Sequence, residues 1–471
     1  MTPNLAPDLC VIGAGSGGLA VAAGAAQMGA EVVLIERGMM GGDCLNFGCV
    51  PSKSLLAAAR YADFARHGAT FGIATARPQI DFAAVNDSVH QVIAAIAPHD
   101  SVERFEGLGV RVLQAEARFT SPRTVHAAEI EIRPRRFVIA TGSRPAVPPI
   151  PGLECVSYFT NETVFANRYR PEHLIVIGGG PIGMEMAQAH RRLGSRVTVL
   201  DIGPLLPRDD PELAACLAQR LASEGIQTHP RVEITAVERD GEAVVVHLTG
   251  RERIAASHLL VATGRRPNIE ALDLPAAGIE ATATGITVDA RLRTTNRRAF
   301  AIGDVAGGPQ FTHIALYHAG IVIRNALFRL PAKVDYRALP WVTYTDPELA
   351  QVGLTEAAAR AAGATARVLH WPFVENDRAQ TERDTTGLVK AVLNGTGRIL
   401  GASILGAGAG DLILPWALAI SRKLKIGAMA NLIVPYPTRG EASKRAAGCY
   451  YTPRLFSRRT RRLVRFLARF G

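Results

Sequence analysis

At 471 residues the chain is too long for one hydrophobic core, and about three domains are its natural complement. Hydrophobic content of 48% with 45 glycines excludes a disordered chain and suits a large α/β enzyme. The net charge of +11 invites a nucleic-acid partner. Much of it, however, gathers in Arg454, Arg458, Arg459, Arg461, Arg462, Arg465 and Arg469, and no aromatic–basic interleaving marks a strand-binding surface, so no nucleic acid is expected. No apolar run approaches the ~18–20 residues of a membrane span. Met1–Asp8 lacks a basic leader, which makes the expected location cytoplasmic.

Leu9–Gly18 (LCVIGAGSGG) reads as a strand running into Gly13-x-Gly15-x-x-Gly18, followed by a helix over Leu19–Met28. A second strand, Glu31–Ile35, ends in Glu36. The order is that of a dinucleotide-binding unit. Gly13 permits the tight turn, Gly15 lets backbone approach a pyrophosphate, Gly18 lets helix pack on strand, and Glu36 accepts from a ribose diol.

Next comes Gly41–Leu56, GGDCLNFGCVPSKSLL, with Cys44 and Cys49 close together where a loop enters a helix. Thiols at a helix N-terminus, with Lys53 one turn on, sit in a field that favours thiolate. On spacing alone the pair suits redox chemistry, metal binding, or two inert packing residues. Cys10, Cys155, Cys216 and Cys449 are scattered and read as packing residues, not as a secreted disulfide framework.

Residues 57–120 read as long helices before a short strand at Val110–Gln114. Glu129–Ala140 alternates like strands, and Phe137–Arg144 ends one at a Thr141-Gly142 turn. The crossing Pro145–Pro151 marks a domain boundary. The motif then repeats: strand Leu174–Ile177, the turn Gly178-x-Gly180-x-x-Gly183, helix Met184–Leu193, and strand Val197–Leu200 closing on Asp201. Two such units predict two nucleotide cofactors. Asp201 would repel a 2′-phosphate, so NADH is favoured over NADPH, with Arg208 the nearest cation to blur the preference.

A further strand-to-turn signal, Leu259–Asn268 with Gly264 in its turn, closes the inserted region. Thr294–Asp304 returns to the first unit, ending in Gly303-Asp304, and Phe311–Ile321 follows as a helix. Beyond about residue 336 the texture changes. Trp341–Tyr344, Ala366–Phe373, Gly387–Leu393 and Leu400–Ile404 read as antiparallel strands, with helices at Glu356–Ala362 and Leu412–Leu424.

With GAGSGG, GGDCLNFGCVPSK, IATGS, GGGPIGMEMA, VATGRRPN, FAIGD and TDPELAQVGLTE in this order, the chain resembles the pyridine nucleotide–disulfide oxidoreductases over nearly its whole length. Its nearest resemblance is to the branch of dihydrolipoyl dehydrogenase and mercuric reductase. The resemblance implies an α/β fold with two Rossmann-like dinucleotide-binding domains, the second inserted in the first, and a C-terminal α+β dimerisation domain. The implied bounds are 1–149 and 271–336 for FAD, 150–270 for NAD(P), 337–452 for dimerisation, and 453–471 for a basic amphipathic tail.

By the same matching, Gly13, Gly15, Gly18, Glu36, Lys53, Thr141, Gly142, Gly303 and Asp304 would hold FAD. Gly178, Gly180, Gly183, Asp201 and Gly264 would hold the nicotinamide nucleotide, NAD or NADP. Cys49 would lie nearest the flavin and Cys44 would exchange with substrate, the two forming a redox-active disulfide. Lys53 would pair with Glu185. No resident metal is implied.

The family's reductases carry His-Pro-Thr-x-x-Glu in the C-terminal domain, reaching across a homodimer so that each active site needs both subunits. Here the segment is Tyr436-Pro437-Thr438-Arg439-Gly440-Glu441. Glu441 is kept, but Tyr436 replaces the imidazole base, and a phenol near ~10 is a poor base at neutral pH.

The expected activity is NAD(P)H-linked, FAD-dependent exchange with a small thiol or disulfide such as dihydrolipoamide. The alternative is a mercuric-reductase-like reductase of metal ions or quinones, although Phe466–Gly471 lacks that enzyme's vicinal cysteine pair and the only nearby thiol is Cys449. From another class, the basic tail suggests a flavoprotein held on a membrane surface or on an acidic partner.

Overall fold

A computed structural model describes residues 4–470 except 75, 77 and 251. Met1–Pro3 of the N-terminal reading and Gly471 of the tail lie outside the described residues. The chain divides into two compact units: Met1–Gly178, Arg192–Arg196 and Ile234–Val334 form the first, and Gly179–Arg191, Val197–Glu233 and Asp335–Gly471 the second.

The first unit is built on five parallel strands in the order Ala299–Ala301, Arg136–Ile139, Leu9–Ile12, Val32–Glu36, Val110–Gln114. LCVI, VVLI and FVI are unbroken apolar runs because a parallel sheet is covered on both faces. Leu9, Val11, Leu34 and Val138 pack into one core cluster, and Cys10, Ile12, Val33, Ile35 and Phe137 into the other. The Leu9–Ile12 strand has neighbours wound in opposite directions. Gly13, at its C-terminal end, therefore opens on the crevice where such sheets bind ligands.

The same unit holds His173–Ile177 paired in parallel with His258–Val261. An antiparallel sheet of Ile234–Asp240, Ala243–Leu248 and Arg253–Ala256 was missed in the sequence. Its signal was present in the Asp240-Gly241 turn, with Gly241 at φ +62°. Residues 57–120 contain shorter helices than expected: Cys49–His67, Phe82–Ile96 and Val102–Gly107. Gly72 (φ +77°) turns the chain after the first, and Pro98 stands in the 3-10 turn that follows the second.

In the second unit residues 197–201 pair in parallel with Ile226–Pro230, and the helix Pro211–Ser223 is capped by Asp210 accepting from Glu212 N. An antiparallel sheet follows, in the order Pro340–Thr343, Glu348–Gly353, Ile399–Gly406, Leu388–Leu393, Arg367–Pro372. The Glu348–Gly353 strand was not expected, because Gln351 interrupts its apolar run. Gln351 is nonetheless fully buried, its amide oxygen accepting from Ser403 Oγ. The helix expected over Leu412–Leu424 is broken into Ala409–Leu412 and Leu414–Ser421, with Pro415 opening the second piece. Trp416 anchors this core with no exposed surface, its indole N–H given to Ser443.

Among the described residues no helix is long and apolar enough to cross a membrane.

Candidate active site

Gly13 sits at φ +103°, and a Cβ there would lie 2.4 Å from the Ala140 carbonyl oxygen. Gly18 is tighter still, with its absent Cβ 1.9 Å from Gly13 O. Gly15 differs: nothing lies within 4 Å of its Cβ position, so its backbone faces open space. The Gly41-Gly42 loop comes up alongside, with a Cβ on Gly42 falling 2.7 Å from Gly15 Cα. These residues form a cradle of bare backbone at a helix N-terminus, which fits a dinucleotide's pyrophosphate. Glu36 closes it, its two carboxylate oxygens accepting from Ala14 N at 2.6 Å and Gly38 N at 2.7 Å.

The thiols lie beside this turn. Cys49 is the first residue of the Cys49–His67 helix, and Cys44 sits in the short Gly42–Asn46 helix. Neither is in a disulfide. Cys44 is hydrogen-bonded with Cys49, Thr312 and Ser16, and Cys49 Sγ lies 3.4 Å from Thr312 Oγ1. Ser16, Cys49 and Thr312 are each the first residue of a helix, so three positive helix ends meet at the two sulfurs.

The field does not lower the thiol of Cys44, however. The hydrogen bond with Cys49 and then burial push it well above the usual cysteine range. Lys53 Nζ donates to Ser52 Oγ at 3.3 Å.

Asp304 follows Gly303 (φ +67°) and accepts from Ser143 Oγ at 2.5 Å; burial raises its carboxyl above the usual range. Arg265 ties the neighbourhood together. Its Nε donates to Ser143 Oγ at 2.7 Å, and its guanidinium meets Asp43 at 3.2 Å. Asn161 Nδ2 also donates to Asp43, at 3.0 Å. Thr141 Oγ1 donates to Asn268 O, and Gly142 (φ +67°) accepts from Asn268 N. Behind Gly303, the buried His318 accepts the Gly303 N–H through Nδ1, and burial holds its pKa at about 4.

Ser16, Asp43, Asn161, Arg265 and Thr312 were not singled out from sequence. Asp43 and Arg265 lie inside GGDC and GRRPN, motifs whose glycines and cysteine carry the stronger local signal.

The second turn repeats the first in detail. Gly178 sits at φ +118°, with a Cβ position 2.3 Å from Ala262 O, and Gly180 has nothing within 4 Å. Gly183 lies in the helix Pro181–Arg192, and Gly264 (φ +133°) gives its carbonyl to Ala146 N. Asp201 accepts from Gly179 N and Gly203 N, both at 2.6 Å.

In the second unit Glu185 accepts from Tyr344 N at 2.9 Å. Tyr436 is 69% exposed and donates its hydroxyl to Asp377 at 2.8 Å; that carboxylate raises the phenol further above its ordinary value. Glu441 accepts from Arg445 one helical turn on, at 2.9 Å. Cys10 is buried as a packing residue, but Cys155, expected to pack, is exposed at the end of the turn Leu153–Cys155. Among the described residues, no cluster of three or more His, Cys, Asp or Glu side chains is arranged to hold a metal ion.

The family described as pyridine nucleotide-disulphide oxidoreductase matches residues 7–319, and the dimerisation domain of that family matches residues 339–447. A mercuric reductase of Streptomyces lividans is 39% identical over 93% of this chain and 95% of its own length. A dihydrolipoyl dehydrogenase of Geobacillus stearothermophilus is 36% identical over the same shares. Among solved structures, a Cu(II) complex of the HOCl-induced flavoprotein disulfide reductase RclA from Escherichia coli superposes with a TM-score of 0.85. It is 29% identical, covering 93% of this chain and 98% of that one.

Proposed function

We propose, from the premise that the chain belongs to the pyridine nucleotide-disulphide oxidoreductase family, that it spends NADH to reduce a thiophilic metal ion bound by Cys44 and Cys49. The family is FAD-dependent and uses NAD(P)H, and its dimerisation domain makes a homodimer the expected assembly. FAD, when bound, supplies hydride acceptance from the nicotinamide and delivery of two electrons. Gly13, Gly15, Gly18, Glu36 and Asp304 are the residues we assign to hold it. To the nicotinamide nucleotide we assign Gly178, Gly180, Gly183, Gly264 and Asp201, whose carboxylate favours NADH over a 2′-phosphorylated form.

The observation that carries the choice of acceptor is Tyr436. A dithiol or disulfide substrate needs a group that takes and returns the exchange proton near neutral pH, and losing one typically costs about 10²–10⁴-fold. Tyr436 donates a hydrogen bond to Asp377 and titrates above an ordinary phenol, so it is a poor base near neutral pH. A soft metal ion needs no such group. It displaces the thiol protons as it binds, and three helix ends favour the sulfur anions that remain. The names of the mercuric reductase relatives and of the copper complex lean the same way. A dithiol substrate is the second reading, favoured by the dihydrolipoyl dehydrogenase relatives.

The test is anaerobic NADH oxidation with Hg(II), Cu(II), lipoamide or a quinone as acceptor. Metal-dependent turnover should fall by more than about 100-fold in Cys44→Ser. Tyr436→His should raise lipoamide turnover by about 10²-fold and leave metal turnover within a few-fold. Wild-type protein that prefers lipoamide, with no gain from Tyr436→His, would overturn the reading.

A further inference from the structure

Beyond the dimerisation-domain match, which ends at 447, the chain continues into two short helices, Thr452–Leu455 and Arg458–Leu467. Ser457 caps the longer one by accepting from Thr460 N at 3.2 Å. Thr460 Oγ1 in turn donates to Arg454 O at 2.7 Å, so the segment is braced locally. Among the described residues, the hydrogen bonds of 457–470 all end within 454–470.

At about 100° per residue, Leu463, Val464, Phe466, Leu467 and Phe470 fall on one face of this helix and its continuation, with Arg458, Arg461, Arg462, Arg465 and Arg469 on the opposite arc and Arg459 among the apolar residues near the helix start. Phe466 and Phe470 meet edge to face, with ring centroids 5.1 Å apart. All five apolar side chains are exposed, by 54–75%. An apolar strip this open marks a docking face.

The charge says what covers it. Seven arginines and no acid lie between Pro453 and Phe470. An occupant must therefore present negative charge along the helix while accepting a continuous row of Leu and Phe between its charges. An anionic bilayer surface does both at once, whereas a groove on an acidic protein must bury the arginine flanks as well. The helix is too short and too polar to span a membrane, which leaves it lying in the interface.

We propose that residues 452–470 are an interfacial anchor that lays this protein on an anionic lipid surface. The full chain should co-sediment with vesicles of equal parts phosphatidylcholine and phosphatidylglycerol, and not with phosphatidylcholine alone. The double substitution L463E/L467E should weaken that binding by at least about tenfold, and Arg→Gln at 461 and 465 by roughly fivefold each. NADH oxidation by the variants should be unchanged, which shows that they fold.

Equal pelleting of wild type and L463E/L467E would overturn the proposal. So would wild type that ignores both vesicles. Light scattering in which the double variant falls from dimer to monomer would reassign the strip to a second copy, and binding to poly-glutamate that survives L463E/L467E without vesicle binding would reassign the segment to an acidic protein. Either result would overturn it too.

Discussion

The two glycine-rich turns differ in sequence, GAGSGG against GGGPIG, yet they are built on one plan. Each opens with a glycine whose missing Cβ clears a carbonyl oxygen, Ala140 O in one and Ala262 O in the other. Each has a second glycine facing open space, and each holds its acid by two backbone N–H groups, one from the turn and one from two residues past the acid. The acids themselves differ, Glu36 against Asp201. Backbone geometry is thus repeated from one turn to the other, and the acid's side chain is what varies.

The comparison is broken most severely at its first glycine. Gly13→Ala and Gly178→Ala each force a Cβ against a carbonyl at positive φ, a strain of roughly 2–4 kcal/mol. If the turns serve different nucleotides, the outcomes separate. Gly13→Ala should purify without flavin, while Gly178→Ala should keep its flavin and raise KM for NADH more than tenfold; flavin content by absorbance and steady-state kinetics report the two.

The acids give a smaller, more selective effect. A charge-assisted hydrogen bond contributes about 1.5–3 kcal/mol. Glu36→Gln should therefore weaken FAD retention by roughly tenfold or more, measured by reconstitution of the apoprotein. Asp201→Asn should leave FAD alone and narrow the preference for NADH over NADPH.

The two units should also answer to pH with opposite signs. His318, in the first, titrates at about 4 instead of its ordinary 6.5, so the unfolded chain binds its proton first. Stability contributed there is present above about 6.5 and lost as pH falls toward 4. Asp209, in the second, is raised by burial to about 6 from 3.8, while Trp341 Nε1 donates to it at 2.9 Å. A carboxyl raised in this way favours the fold at low pH, and that contribution is lost as pH rises through about 6. Each effect reaches at most about 3 kcal/mol. As pH rises from 4 to 6, hydrogen-exchange protection, taken relative to the intrinsic rate at each pH, should increase in the Leu9–Ile12 strand and decrease in the Pro340–Thr343 strand. His318→Gln should flatten the first trend and Asp209→Asn the second.

Much of this was legible in the sequence for a physical reason. The turn glycines, Glu36, Asp201 and the cysteine pair are local features, because each is specified by its immediate neighbours. What escaped was either non-local or masked by polarity. Arg265 meets Asp43 across the fold, and Thr312 meets Cys49 from 263 residues away. Gln351 hid a central strand, since a buried polar side chain looks like a break until its partner Ser403 is known. The raised thiol of Cys44 is a related case. The helix field was visible, but the neighbouring thiol that shares the charge dominates it.

The convergence of Ser16, Cys49 and Thr312 at the sulfurs has a consequence for how the protein is made. Its third contributor is encoded far downstream of the other two, so a ribosome must deliver most of the polypeptide before the thiols find their finished surroundings. Until then Cys44 and Cys49 are ordinary cysteines on a nascent chain, open to whatever oxidants or metals the cell contains. Their privileged chemistry arrives late in translation, as a property of the assembled fold.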